Sequence, residues 1–189
     1  MNVKKIEHII KMMEEYNVKM AEHSERTAML CYAFAKELKL DAEYLEIAYM
    51  SGLLHDIGRM GHNEVVKIDD INVNIERIYP YFSEAIISKF EGFENVAKVI
   101  IQSAENYDGS GPLKLTGDNI GTIATILRIS DYYDTQRSSG LSHDETTKLL
   151  RLNSDIIFPK KIITPFIKSV INNDLQFEYY GDINEQRIL

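Results

Sequence analysis

The sequence predicts an all-α protein folded as a single-domain helical bundle, and three observations carry that expectation. Apolar residues recur at three-and-four spacing along nearly the whole chain, as on one face of a helix. The 189 residues, 44% of them hydrophobic, suffice for one sizeable core. No internal repeat, low-complexity tract or Pro/Gly/Ser linker divides the chain, so one domain over residues 1–189 is expected.

The opening residues lead into a charged helical pattern whose apolar stripe is Ile6, Ile9, Ile10 and Met13. His8 lies beside that stripe and is expected to be exposed. From 23 to 38 the face runs His23, Thr27, Leu30, Cys31, Phe34, Ala35 and Leu38, with Lys36, Glu37 and Lys39 outside it. Leu38 to Asp41 reads as a turn, with Asp41 the N-cap of a helix carrying Tyr44 to Leu54. After Gly58 and Gly61 the chain is polar to about Asp70, a loop pattern. Helical spacing resumes over about 71–78, 80–90, 94–106, 118–137, 142–152 and 160–173. Gly109-Ser110-Gly111-Pro112 marks a second loop, and Ser142 with Glu145 forms a capping-box pattern. Phe177 to Tyr180 fits a short strand or an extended segment.

The bulk properties exclude several function classes. Cys31 is the lone cysteine, so no internal disulfide forms, and its apolar neighbours suggest a buried thiol in a reducing compartment. No apolar run approaches the ~20 residues of a membrane span, and no secretion signal opens the chain. A cytoplasmic protein without membrane association is expected. The formal net charge of -8 opposes binding to a nucleic-acid polymer. It leaves room for phosphate chemistry, because a bound divalent cation reverses the sign of a pocket locally.

The informative residues are polar ligand types that interrupt apolar faces, since a buried imidazole or carboxylate needs compensation. His23 begins an apolar face. The stripe Ile120, Ile123, Ala124 and Leu127 continues into Asp131 and Asp134. His55-Asp56 sits at a helix end, just before Gly58, where an imidazole and a carboxylate can stand side by side. Each has a bland alternative: a hydrogen-bonded core histidine, or an Asp131 that pairs with Arg128. Together His23, His55, Asp56 and Asp131 supply two imidazoles and two carboxylates, a set that suits Fe, Mn or Zn. His62 reads as a surface-loop residue near this region. Asp108 to Gly111 only superficially resembles a phosphate cradle, and Tyr44, Tyr49, Tyr132 and Tyr133 read as core or rim aromatics.

The order His23, His55-Asp56-Ile57-Gly58, then Asp131 resembles the HD superfamily of metal-dependent phosphohydrolases. The words Leu53 to Gly61, Glu105 to Pro112 and Arg128 to Asp134 resemble its HD-GYP branch, in a degenerate form. The matching motifs span about residues 20–137, with C-terminal helices and a tail beyond. The resemblance implies an HD-type helical bundle with a central metal site held by His23, His55, Asp56 and Asp131. HD-GYP proteins are bacterial and typically hydrolyse cyclic di-GMP with two or three metal ions. The histidines that would hold further ions fall on Tyr79, Ser103 and Ala104, so one ion rather than two is expected. The branch's Lys after the HD pair corresponds to Arg59, which keeps the charge and adds a planar phosphate-binding fork. Basic positions after the last aspartate read Gly140 and His143, and Gly111-Pro112 lacks the Tyr of the GYP motif.

The expected function is hydrolysis of a small-molecule nucleotide or cyclic-dinucleotide phosphoester, with Asp56 orienting the nucleophile and Arg59 steadying the phosphate. A catalytically inactive regulatory module is the competing expectation, its partner another protein or a second copy of this chain. A third reading has no metal, with all four residues satisfied by hydrogen bonds.

Overall fold

A computed structural model describes residues 3–60, 79–175 and 177. Among these the chain forms eight α-helices and no strand, apart from an isolated bridge between Ser154 and Phe158. They are α1 (Val3–Tyr16), α2 (Val18–Glu37), α3 (Ala42–Leu54), α4 (Tyr79–Ile87), α5 (Glu94–Gln102), α6 (Thr122–Ser138), α7 (His143–Leu152) and α8 (Lys160–Asn172). Short 3-10 turns occupy Ile57–Arg59 and Gly117–Asn119. No described helix is long and apolar enough to cross a membrane.

α2 lies at the centre, against α1, α3, α6 and α8. Asn17 starts it, accepting the Met20 N–H at 3.2 Å. Lys39, with φ 57°, ends it, and the Leu40 N–H returns to the Ala35 carbonyl at 3.2 Å. The face expected from spacing is the buried one: Thr27, Leu30, Cys31, Phe34 and Ala35 are all inaccessible. Phe34 and Tyr133 each meet Phe166 edge-on, at 5.3 and 5.6 Å between centroids, joining α2, α6 and α8 in one core. α3 can lie directly on α2 because Gly52 has no side chain. A Cβ there would stand 2.6 Å from the Ala28 Cα.

Several boundaries differ from the sequence pattern, each for a local reason. α3 begins at Ala42; Asp41 holds the N-cap position, but its side chain makes no capping bond. α5 stops at Gln102 instead of reaching 106. Ser103 Oγ donates to the Ile100 carbonyl at 2.7 Å, and the buried Glu105 carboxylate accepts the N–H groups of Leu113 and Leu115 at 2.5 and 2.8 Å. Those two bonds pull Glu105 out of the helix and into the following loop. α6 starts at Thr122, because Gly117 adopts φ 57° and a 3-10 turn precedes it. The capping box of α7 is present: Ser142 Oγ accepts the Glu145 N–H at 3.3 Å, and Glu145 accepts the Ser142 N–H at 2.8 Å. The loop expected to Asp70, the helix expected over 71–78, His62, and the extended segment after Phe177 lie outside the described residues.

Candidate metal centre

His23, His55, Asp56 and Asp131 converge at the junction of α2, α3 and α6. His23 is one turn into α2. His55 and Asp56 follow the last turn of α3, where the backbone is still helical at His55 (φ -60°, ψ -30°) and departs at Asp56. That departure sets the carboxylate beside the imidazole. His23 Nε2 lies 3.2 Å from Asp131 Oδ1 and 3.9 Å from Asp56 Oδ2, and His55 Nε2 lies 3.6 Å from an oxygen of each carboxylate. One ligand atom from each of His23, His55 and Asp56 lies within 4.8 Å of the other two. Asp131 completes the ring from the imidazole side.

The outer contacts fix which imidazole nitrogen faces the cluster. His55 Nδ1 donates to the Gly52 carbonyl at 2.7 Å, because a carbonyl can only accept. His23 Nδ1 donates to Asp134 Oδ2 at 2.7 Å. Both Nε2 atoms therefore turn inward, the carboxylate-or-carbonyl-to-histidine arrangement that orients metal ligands. Asp134 is fully buried and carries its own counter-charge: Arg26 Nε and Nη2 donate to its two oxygens at 2.8 and 3.0 Å. The stripe that ends in Asp131 and Asp134 thus meets an imidazole and a guanidinium.

Two tests favour a divalent cation among these donors. The buried Nε2 of His55 has no hydrogen-bond partner, an arrangement that is costly unless a ligand takes the lone pair. Metal bonds of about 2.0–2.2 Å place neighbouring ligand atoms about 3–4 Å apart, which matches the 3.2–3.9 Å separations. Burial opposes protonation of His23, yet hydrogen bonds to Asp131 and Asp134 push its pKa up to about 10. Burial likewise opposes ionisation of Asp131, and the hydrogen bond from His23 together with the charge of the two imidazoles overrides it, holding the carboxyl well below its usual range.

The HD turn is locked from several sides. Ser83 on α4 accepts the Gly58 N–H at 2.9 Å and donates to the His55 carbonyl at 2.5 Å. Tyr16 donates to the Arg59 carbonyl at 3.2 Å. Arg59 Nε holds Asp56 Oδ1 at 2.7 Å, leaving Oδ2 toward His23, and its guanidinium stacks 4.6 Å from the Tyr79 ring centroid.

A cleft of ≈ 440 Å³ opens beside the cluster, within the about 300–1,000 Å³ typical of small-molecule sites. Tyr79, Ser103 and Ala104 line it. None offers an imidazole, and the Ser103 hydroxyl is turned to its own helix. Arg59, Lys114 and Arg128 bring positive charge to the same cleft. Arg128 donates to Asn106 Oδ1 at 3.1 Å rather than pairing with Asp131. Tyr132 lines the cleft, Tyr133 is core, Tyr44 and Tyr49 are exposed, and so is His8. Sequence spacing did not single out Arg26, Ser83 or Lys114; Arg26 alone left a signal, three residues after His23 and thus on a neighbouring part of the same helix surface.

A helical bundle that brings His, His-Asp and Asp together from three separate helices defines an HD-type domain. A family model described as "HD domain" matches residues 7–152, and the chain belongs to the HD domain family. Among curated proteins it is similar to the 3'3'-cGAMP-specific phosphodiesterase 3 of Vibrio cholerae, 29% identical over 121 residues, covering 60% of this chain and 26% of that protein. It is also similar to a cyclic di-GMP phosphodiesterase of the same organism, 25% identical over 146 residues, covering 68% and 30%. The chain thus matches between about a quarter and a third of the length of these relatives. Among solved structures, a cyclic GMP-AMP-specific phosphodiesterase of V. cholerae superposes with TM-score 0.70 at 16% identity, covering 94% of this chain and 51% of that one. The HD domain of the L. monocytogenes phosphodiesterase PgpH superposes with TM-score 0.62 at 13% identity, covering 87% and 96%. These superpositions bear out the all-α HD fold.

Proposed function

We propose that this chain is a metal-dependent phosphodiesterase acting on a nucleotide phosphoester, with a cyclic dinucleotide the leading substrate class. The observation that carries the reading is the buried Nε2 of His55, which makes no hydrogen bond and stands 3.6 Å from an oxygen of each of Asp56 and Asp131, in a ring of donors whose outer hydrogen bonds already fix their orientation. His23, His55, Asp56 and Asp131 would hold one divalent ion, of Fe, Mn or Zn type, since the neighbouring cleft positions Tyr79, Ser103 and Ala104 add no imidazole. When bound, such an ion supplies Lewis acidity, which lowers the pKa of a water and polarises a phosphoryl oxygen. Asp56 would orient the nucleophile. Arg59, on the cleft wall, steadies a phosphate oxygen through its remaining N–H groups. The relatives whose names specify cyclic GMP-AMP and cyclic di-GMP support the substrate class.

The test is hydrolysis of a panel of cyclic dinucleotides, mononucleotides and a chromogenic phosphodiester by protein loaded in turn with Mn, Fe and Zn. Metal-dependent turnover that disappears in His55→Ala and Asp56→Ala is expected. Absence of turnover from folded, metal-loaded protein overturns the reading. It would leave the second one, an inactive binding module, which the loss of ligand-type residues at Tyr79, Ser103 and Ala104 favours.

A further inference from the structure

We propose that Arg128 and Lys114 form a second anion subsite in the cleft, which holds the non-scissile phosphate of a substrate carrying two phosphoryl groups. The inference rests on reading the His-Asp cluster as the hydrolytic centre, and it adds where the rest of the substrate is gripped.

Three cationic side chains line the cleft of a protein whose net charge is -8, and their surroundings differ. Arg59 belongs to the HD turn, and its Nε is committed to Asp56 at 2.7 Å. Arg128 stands on α6, one turn before Asp131, so it projects from the same helix face as that carboxylate. Its Nη2 meets only the neutral amide oxygen of Asn106, and its buried Nε has no acceptor. Among the described residues no carboxylate pairs with it. A half-buried guanidinium with an unmet N–H and an uncompensated charge, facing a cleft, is suited to an anion with several acceptor oxygens.

Lys114 is the second component. It adopts φ 61°, in the left-handed region that a lysine enters only when its surroundings impose it. The imposing group is Glu105, whose two oxygens accept the N–H groups of the residues on either side, Leu113 and Leu115. The loop is tied down further where the Tyr107 and Asp108 N–H groups donate to the Ile157 and Ile156 carbonyls at 3.1 and 3.0 Å. A lysine on such a fixed loop comes to the cleft with part of its ordering already accomplished. A phosphate at Arg128 and Lys114 is held by α6 and this loop, not by the HD turn. The subsite therefore recognises a second phosphoryl group and discriminates against esters with a single one.

The experiment compares cyclic di-GMP, with two phosphates, and bis(p-nitrophenyl) phosphate, with one, on the metal-loaded 189-residue chain. For Arg128→Gln the ratio of kcat/KM for the dinucleotide to that for the small diester is expected to fall about tenfold or more, through KM rather than kcat. Lys114→Gln should act in the same direction, and Arg128→Lys should recover part of the loss. Equal losses on both substrates, or no change in the ratio, overturn the proposal. If the wild type hydrolyses neither compound, the proposed activity fails and the subsite is judged by calorimetric titration with cyclic di-GMP. About tenfold weaker binding by Arg128→Gln, with metal content and melting temperature unchanged, then supports it. Absence of binding by the wild type, or equal binding by the variant, overturns it.

Discussion

Asp134 accepts the Nδ1 proton of His23 at 2.7 Å while its carboxylate is gripped by Arg26, so the orientation of a proposed metal ligand depends on a buried ion pair behind it. Replacing Asp134 by Asn keeps the shape but removes the charge that fixes the His23 tautomer. Metal affinity is expected to fall about 10–100-fold, the usual consequence of losing such an outer partner. Competition titration against a chromogenic chelator measures it, and affinity equal to the wild type would show that the Asp134 charge does not position His23 for the ion. Asp134→Ala should be worse for folding, because both His23 and Arg26 would lose the fully buried carboxylate that joins them.

Chelation should lower the melting temperature. An ion that binds only the folded protein at 100 times its Kd contributes about 2.7 kcal/mol, and a chain of this size shifts by about 2–4 °C per kcal/mol. A difference of about 5–10 °C between chelated and Mn- or Zn-loaded protein is expected by calorimetry. The difference should vanish in the double variant His23→Ala/His55→Ala.

The pH dependence follows from His23, whose pKa is raised from 6.5 to about 10 in the metal-free protein. The folded state binds this proton more tightly than the unfolded chain. Its stabilising contribution to metal-free protein is therefore complete below about 6.5 and is lost as pH rises through about 10. A metal needs the neutral imidazole, so the ion displaces the proton and its apparent affinity should rise across the same interval. Chelated protein should thus become less stable from pH 6.5 to 10, while the gain on adding metal should grow. Proton release on binding at pH 7.5, read from the buffer dependence of the binding enthalpy, checks the sign.

The four proposed ligands were legible in the sequence for a physical reason: each interrupts an apolar face or sits at a helix end, where an uncompensated polar group stands out. Asp134 was visible on the α6 stripe as a carboxylate in need of a counter-charge, but its partner was not. Arg26 comes from a helix 108 positions earlier, and no spacing rule reports that crossing. Ser83 was silent for the same reason, since its hydroxyl bonds backbone groups 25 and 28 positions away. The C-terminal end of α5 and the start of α6 differ from the expected bounds because long-range bonds from Glu105 and the backbone at Gly117 outweigh apolar periodicity there. The order of the helices among the described residues, the capping box of α7 and the core face of α2 depend on local spacing, and they match the sequence pattern.

Ser83 tests whether the HD turn is held from outside the cluster. Its hydroxyl is fully buried and serves both the Gly58 N–H and the His55 carbonyl. Ser83→Ala leaves both backbone groups buried without that partner, an expected loss of about 1–3 kcal/mol in denaturant midpoint measurements. The same change frees the turn that places His55 and Asp56, so metal affinity should fall as well, although Ser83 touches no proposed ligand side chain. Ser83→Thr retains the hydroxyl and should recover affinity where its extra methyl is accommodated, whereas Ser83→Cys, a weak donor, should not. If Ser83→Ala lost stability with metal affinity intact, the turn would be fixed by α3 alone, and the contact with α4 would be packing without consequence for the site.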